Sequence, residues 1–130
     1  MASEETRYFT PDEASALLPE VDELLGRAQE ILEKIRRTNT TEAARTNGHV
    51  RQGGPTSQRE RVRDLEQELG TVVRRVQAHG IIVRDLGTGL IDFPSLRDGV
   101  EVYLCWKRGE PHRIEWWHPT DTGIAGRRRL

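Results

Sequence analysis

Cysteine occurs once, at Cys105. No disulfide can therefore form within the chain, and a cysteine-only metal knuckle is excluded. Long apolar runs are missing too. None approaches the roughly 20 residues that a membrane span needs, and the start, MASEETRYF, has no signal-peptide character. The expectation is a cytoplasmic protein without membrane contact. Net charge is nearly nil: 20 basic against 21 acidic side chains give −1, so no global basic field draws in nucleic acid. Lysine is confined to Lys34 and Lys107, and the plain reading of the remaining arginines is a GC-rich genome rather than arginine-specific recognition. Hydrophobic residues make up 35% and charged residues 32%, apolar-poor for a globular domain. A narrow core with long solvated faces, such as a helical hairpin provides, accounts for that balance. At 130 residues the chain fits a single domain.

What charge there is falls in blocks. Residues 1–35 hold nine acids and three bases, residues 36–79 nine bases and five acids, and the remainder is nearly balanced. An acidic segment followed by a basic one suggests two elements that face each other. Thr10-Pro11-Asp12-Glu13 has the form of a capping box with proline at the first helical position. Behind it Ala14, Leu18, Val21, Leu25, Ala28, Leu32 and Ile35 step by four and three, with Leu17, Leu24 and Ile31 as a second row. That spacing predicts a helix over 10–37 that packs on more than one neighbour, bent where Pro19 removes a hydrogen bond. Residues 38–57 have no period and are rich in Thr, Asn, Gly and Ser, which predicts a flexible loop, with His49 solvated in it. Val62, Leu65, Leu69, Val72 and Val76 predict a second helix over 58–79, closed by Gly80, with His79 favoured by the helix dipole at its end. The two together predict an antiparallel helical hairpin.

After Gly80 the period becomes two. Ile81-Ile82-Val83 and Leu90-Ile91-Asp92-Phe93 read as strands, with Pro94 pushing the second toward an edge or bulge. Asp98-Gly99 is a strong hairpin signal. Val100, Val102, Leu104 and Trp106 then alternate with polar neighbours, and His112 to His118 reads as a last strand. The expectation is an α+β fold: a hairpin of helices, a four-stranded antiparallel meander over 81–118, and a docked strap over 119–130.

Three stretches, RYFTPDEASALLPEV, GLIDFPSLRDGVEVYLCWKRGE and WWHPTDTGIAGRRRL, together resemble the bacterial family known as domain of unknown function 2203. The similarity covers nearly the whole chain apart from residues 38–57. It implies the α+β architecture and a bacterial origin, and it lends no activity.

The residues offer few catalytic signals. There is no nucleophile elbow, Walker loop or dinucleotide fingerprint. Gly87-Thr88-Gly89 joins two strands rather than opening a helix, so it cannot cradle phosphate at a helix start. Asp92, Asp98, Glu101 and Glu115 can supply a carboxylate pair, but such pairs are common on any solvated sheet face. Cys105 reads as a small residue in an apolar strand, and the balance leans away from an enzyme. Cys105, His112, Glu115, His118 and Asp121 are ligand types, yet His112 and His118 on one strand stand roughly 20 Å apart, and His118 with Asp121 supplies only two donors. No metal site and no cofactor is expected. For nucleic acid, Arg127 to Arg129, the basic second helix and Trp106, Trp116 and Trp117 are suggestive; the net charge and the acid-rich strands weigh against it.

The favoured expectation is an interaction or scaffolding module that self-associates through its helical hairpin, or takes a protein partner there. The tail admits two readings. Arg127 and Arg128 fork onto sheet carboxylates, with Asp92, Asp98 and Glu115 as candidates, and latch the strap over the meander. Otherwise His118, Arg127, Arg128 and Asp92 line a pocket for a small anionic ligand.

Overall fold

The computed structural model describes residues 6–47 and 54–130, the side chains of 41–47 and 54–56 excepted. Two helices precede a sheet. Helix α1 spans Pro11–Asn47 and α2 Gly54–Gln77. The strands are β1 Ile82–Asp85, β2 Leu90–Arg97, β3 Val100–Lys107, β4 Trp116–Pro119 and β5 Arg128–Arg129, with a short 3-10 turn at Ile124–Gly126.

The capping box forms. Thr10 N–H donates to Glu13 Oε1 at 2.9 Å and Glu13 N–H to Thr10 Oγ1 at 3.1 Å, so two orphan donors at the start of α1 satisfy each other. The helix continues through Pro19. Pro19 leaves the Ser15 carbonyl without its helical donor. The Ser15 hydroxyl meanwhile donates to Pro11 O and accepts the Ile114 N–H at 2.9 Å, tying α1 to the sheet half.

Helix α1 runs ten residues beyond the expected end at 37, so the loop predicted over 38–57 is in part helix. Thr38 shows how a poor helix former is accommodated there: its hydroxyl bonds back to Lys34 O at 2.8 Å. Helix α2 likewise begins at Gly54 rather than 58. His49 and the middle of the expected loop lie outside the described residues.

The heptad row fills the core. Ala14, Leu18, Val21 and Leu25 are fully buried and Ala28 nearly so, against Val72 and Val76 of α2 and Phe93, Leu104 and Trp106 of the sheet. Each buried Val, Leu or Phe contributes on the order of 1.5–3 kcal/mol from area removed from water. Trp106, the largest of them, also satisfies its indole N–H on Pro111 O at 2.8 Å.

The sheet is antiparallel throughout, and its strands lie in chain order, β1-β2-β3-β4-β5. It has five strands rather than four, because the strap returns Arg128 and Arg129 alongside Trp117 and Trp116. The last hairpin strand is also shorter than expected, starting at Trp116 instead of His112. Residues 111–114 are drawn toward α1, where His112 Nε2 meets Asp22 Oδ2 at 2.8 Å and Ile114 N–H meets Ser15. Asp98 and Gly99, both at positive φ, make the β2–β3 turn. Pro94 sits inside β2 opposite Tyr103. Its carbonyl accepts the Phe9 N–H at 2.8 Å, while the Ser95 hydroxyl donates to Phe9 O at 2.6 Å. The missing proline N–H therefore falls on the side where β1 has already ended and the N-terminal segment takes over, costing no ladder bond.

Candidate functional site

Strand alternation sends Ile91, Phe93, Leu104 and Trp106 toward the helices and Asp92, Cys105 and His118 to the opposite face. Asp92 and Cys105 are direct cross-strand partners, and His118 pairs with Tyr103 one step along the same face. An outer sheet face is ordinarily wet. Here the strap crosses it, so Asp92 is 2% exposed, Cys105 1% and His118 2%.

These groups surround a cavity of about 240 Å³, lined also by Arg84, Leu90, Thr120, Thr122, Gly123 and Ile124. Arg84 Nε donates to Asp92 Oδ2 at 2.8 Å, and its guanidinium lies 4.9 Å from the Tyr103 ring centroid. The bond to Asp92 holds the guanidinium more firmly protonated than usual, against the opposing effect of burial. Both nitrogens of His118 face oxygen. Nδ1 lies 2.8 Å from the Pro119 carbonyl and Nε2 3.1 Å from each Asp92 oxygen. Whichever ring nitrogen bears a proton can donate it to the oxygen it faces. Burial, then the Asp92 charge, pushes the Cys105 thiol up to about 12, so the free thiol is neutral and a poor nucleophile. Among the described residues, no buried side-chain nitrogen or oxygen lacks a partner.

A second polar cluster lies between α1 and the β1–β2 and β3–β4 turns. Arg108 Nε donates to Asp22 Oδ1 at 2.6 Å and Nη1 to Gln29 Oε1 at 2.8 Å, with His112 on the other Asp22 oxygen. Gln29 donates in turn to the carbonyls of Leu86 and Gly87. These bonds fasten helix to sheet. Burial raises the Asp22 carboxyl, but the hydrogen bonds from His112 and Arg108 outweigh it and hold the group below the ordinary range.

Of the four residues expected to share a ligand pocket, the structure joins two, His118 and Asp92. Arg127 and Arg128 lie elsewhere. Arg127 donates to Glu110 Oε2 at 2.6 Å and stacks 4.6 Å from Trp116. Its partner is thus none of Asp92, Asp98 or Glu115. Arg128 and Arg97 both lie over Trp117, at 5.2 and 4.7 Å, and Arg129 lies 5.0 Å from Trp116. The tryptophans that resemble a base-stacking platform are occupied by the chain's own guanidinia. Arg84 stands at the cavity instead.

A family model described as "Uncharacterized conserved protein (DUF2203)" matches residues 7–130. The chain belongs to the DUF2203 family. No curated protein and no solved structure matches it. In this DUF2203 chain the three stretches of specific sequence build the capped start of α1, the β2–β3 hairpin and the strap with its tryptophans. No helix among the described residues is long and apolar enough to cross a membrane.

Cys105 and Arg84 were not expected at the site. The signal for Cys105 was alternation itself: Asp92, Cys105 and His118 each follow an inward residue, on three successive strands. Arg84 carried no comparable signal, because a bulge between Val83 and Asp85 sets its direction.

Proposed function

We propose that this protein is an interaction module that pairs with a second copy of itself through the outer part of its helical hairpin. The observation that carries the reading is an apolar row left only half-covered. Helix α1 is roughly 55 Å long at 1.5 Å per residue, and its contacts with the sheet half reach only to Gln29 among the bonds described above. Beyond that point Leu32, Ile35, Val62, Leu65 and Leu69 are half-buried, with Ile35, Leu65 and Leu69 packed against the core cluster. Leu32 and Val62 are not part of the core cluster or its packed margin.

Charge supports a second copy as the occupant. Helix α1 is net acidic, with eight acids against five bases, α2 is nearly balanced, with five bases against four acids, and little pairing joins them within the chain. Among the described residues the one ion pair between them is Arg27 with Glu68, at 3.9 Å and in the reverse sense. Arg59, Arg61 and Arg63 on α2, and Glu23 and Glu30 on α1, form no ion pair. A two-fold arrangement lays α1 of one copy along α2 of the other and brings these sets together over the apolar row.

Light scattering coupled to size exclusion tests this. A dimer is expected, weakened by high salt because its rim is charged, and converted to monomer by Leu32→Glu with Val62→Glu at unchanged helical circular dichroism. A parent chain that is monomeric at every concentration overturns the reading. A flat titration with single-stranded nucleic acid at low salt is expected alongside, since phosphate binding would be steeply salt-dependent.

A further inference from the structure

We propose that Asp92, Cys105 and His118 form a three-ligand site for a divalent transition metal of borderline softness, zinc foremost, with a fourth position open to the cavity beneath the strap. A carboxylate oxygen, a sulfur and an imidazole nitrogen from three adjacent strands lie within 4.8 Å of one another, all buried. In a tetrahedral zinc site with bonds of about 2.0–2.3 Å, neighbouring donor atoms stand roughly 3.3–3.7 Å apart. The separation of His118 Nε2 from the Asp92 oxygens, 3.1 Å, is already near that value, and the Cys105 sulfur lies within 4.8 Å of both groups. The mixture of oxygen, nitrogen and sulfur suits zinc better than magnesium or calcium, which prefer oxygen alone.

Two further contacts have the form of a metal ligand's outer support. The His118 Nδ1 lies 2.8 Å from the Pro119 carbonyl. A proton on Nδ1 fixed in that way aims the Nε2 lone pair at the cluster. Arg84 takes Asp92 Oδ2 at 2.8 Å, which leaves Oδ1 for the metal and steadies the carboxylate. Arg84 also brings a positive charge, but its side chain is 42% exposed, so it can lean to water as the ion enters. Coordination converts the Cys105 thiol to thiolate and takes any proton from His118 Nε2. Both protons go to solvent, and no electron moves. The cavity then holds a water or a small ligand on the fourth position, the pattern of zinc sites that are not purely structural.

The test uses the full chain without a histidine tag, stripped with chelator and dialysed free of it. Zinc is titrated calorimetrically, and cobalt(II) is added as an optical probe. One equivalent of zinc is expected, and cobalt should give a sulfur-to-metal charge-transfer band in the near ultraviolet. That band reads Cys105 ligation in the parent protein, with no variant that must fold. Cys105→Ala should abolish the band, and His118→Gln should weaken zinc by more than the 10–100-fold typical of losing an outer partner. Binding of less than one equivalent, or a cobalt spectrum without the sulfur band, overturns the proposal. So does equal zinc affinity in the parent and Cys105→Ala.

Discussion

Replacing Asp92 with asparagine probes a carboxylate that is almost wholly enclosed. The side chain keeps its shape and one acceptor oxygen but loses its charge, and it turns an NH₂ group toward a donor. Asp92 is 2% exposed and receives Arg84 Nε at 2.8 Å and His118 Nε2 at 3.1 Å. Leaving a buried hydrogen-bonding group without its partner costs about 1–3 kcal/mol, and more where the group is charged. The His118 arm earns that full treatment, because its side chain is 3% exposed. The Arg84 arm does not: at 42% exposure its guanidinium recovers water, so its share falls to about 1 kcal/mol or less. The net loss expected is about 2–4 kcal/mol, or roughly 10–15 °C in Tm at the middle of that range for a chain of this size. Urea unfolding followed by tryptophan fluorescence, at neutral pH with chelator present, measures it. A double-mutant cycle with His118→Gln should return a coupling above about 1 kcal/mol. Stability of Asp92→Asn within about 0.5 kcal/mol of the parent would refute the reasoning, since the cluster would then be no better than a surface pair.

Other expectations concern the strap, the thiol and acid. A Cβ at Gly126 would meet Thr122 Oγ1 at 2.6 Å and its Cβ at 2.7 Å, whereas one at Gly123 meets nothing. Gly126→Ala should therefore cost about 1–3 kcal/mol and Gly123→Ala under about 0.5 kcal/mol by thermal denaturation; equal effects would mean the strap is not seated as described. Cys105 should resist iodoacetamide in the folded chain at mildly alkaline pH and label fully in urea, by mass spectrometry, because burial holds the thiol protonated to about 12. The Asp22 carboxyl is depressed in the folded state, so its contribution is complete above the unfolded value of about 4 and is lost as pH falls through the lower folded value. Asp22→Asn should lower stability at neutral pH and flatten that part of the acid unfolding curve; an unchanged acid limb would show that Asp22 is not so coupled.

The helices and the β2–β3 turn were legible because their signals are local. The capping box, the four-three spacing and the Asp98-Gly99 turn each act within a few residues, and each forms as the pattern implies. The end of α1 was less so: weak helix formers such as Thr38 look like loop until their hydroxyls are seen bonding back into the helix. The site was only half legible. Asp92 and His118 stood out by type, but the spacing of His112 and His118 along one strand, and the two donors of His118 with Asp121, assembled no metal set. What joins the three donors is pairing across strands, and what buries them is a strap that contributes a two-residue strand and a single 3-10 turn. Neither leaves a periodic trace. The arginines were misplaced for a related reason, since Glu110 and the paired tryptophans reach them only once β5 has formed.

The sheet's strand order follows the chain, and the two helices are likewise neighbours in sequence. Each half is therefore assembled from nearby parts, and the long-range links described here are few: Phe9 to Pro94 and Ser95, Ser15 to Ile114, Asp22 to Arg108 and His112, and Gln29 to the β1–β2 turn. Loops that close between neighbours cost little entropy, which favours fast folding. The slow event is then expected to be the meeting of two prepared halves. Stopped-flow refolding checks it: Ser95→Ala, which loosens only the seam, should slow refolding more than an equally destabilising change within the meander. On this view the segment around Phe9 acts as the clasp that commits the chain to its native state.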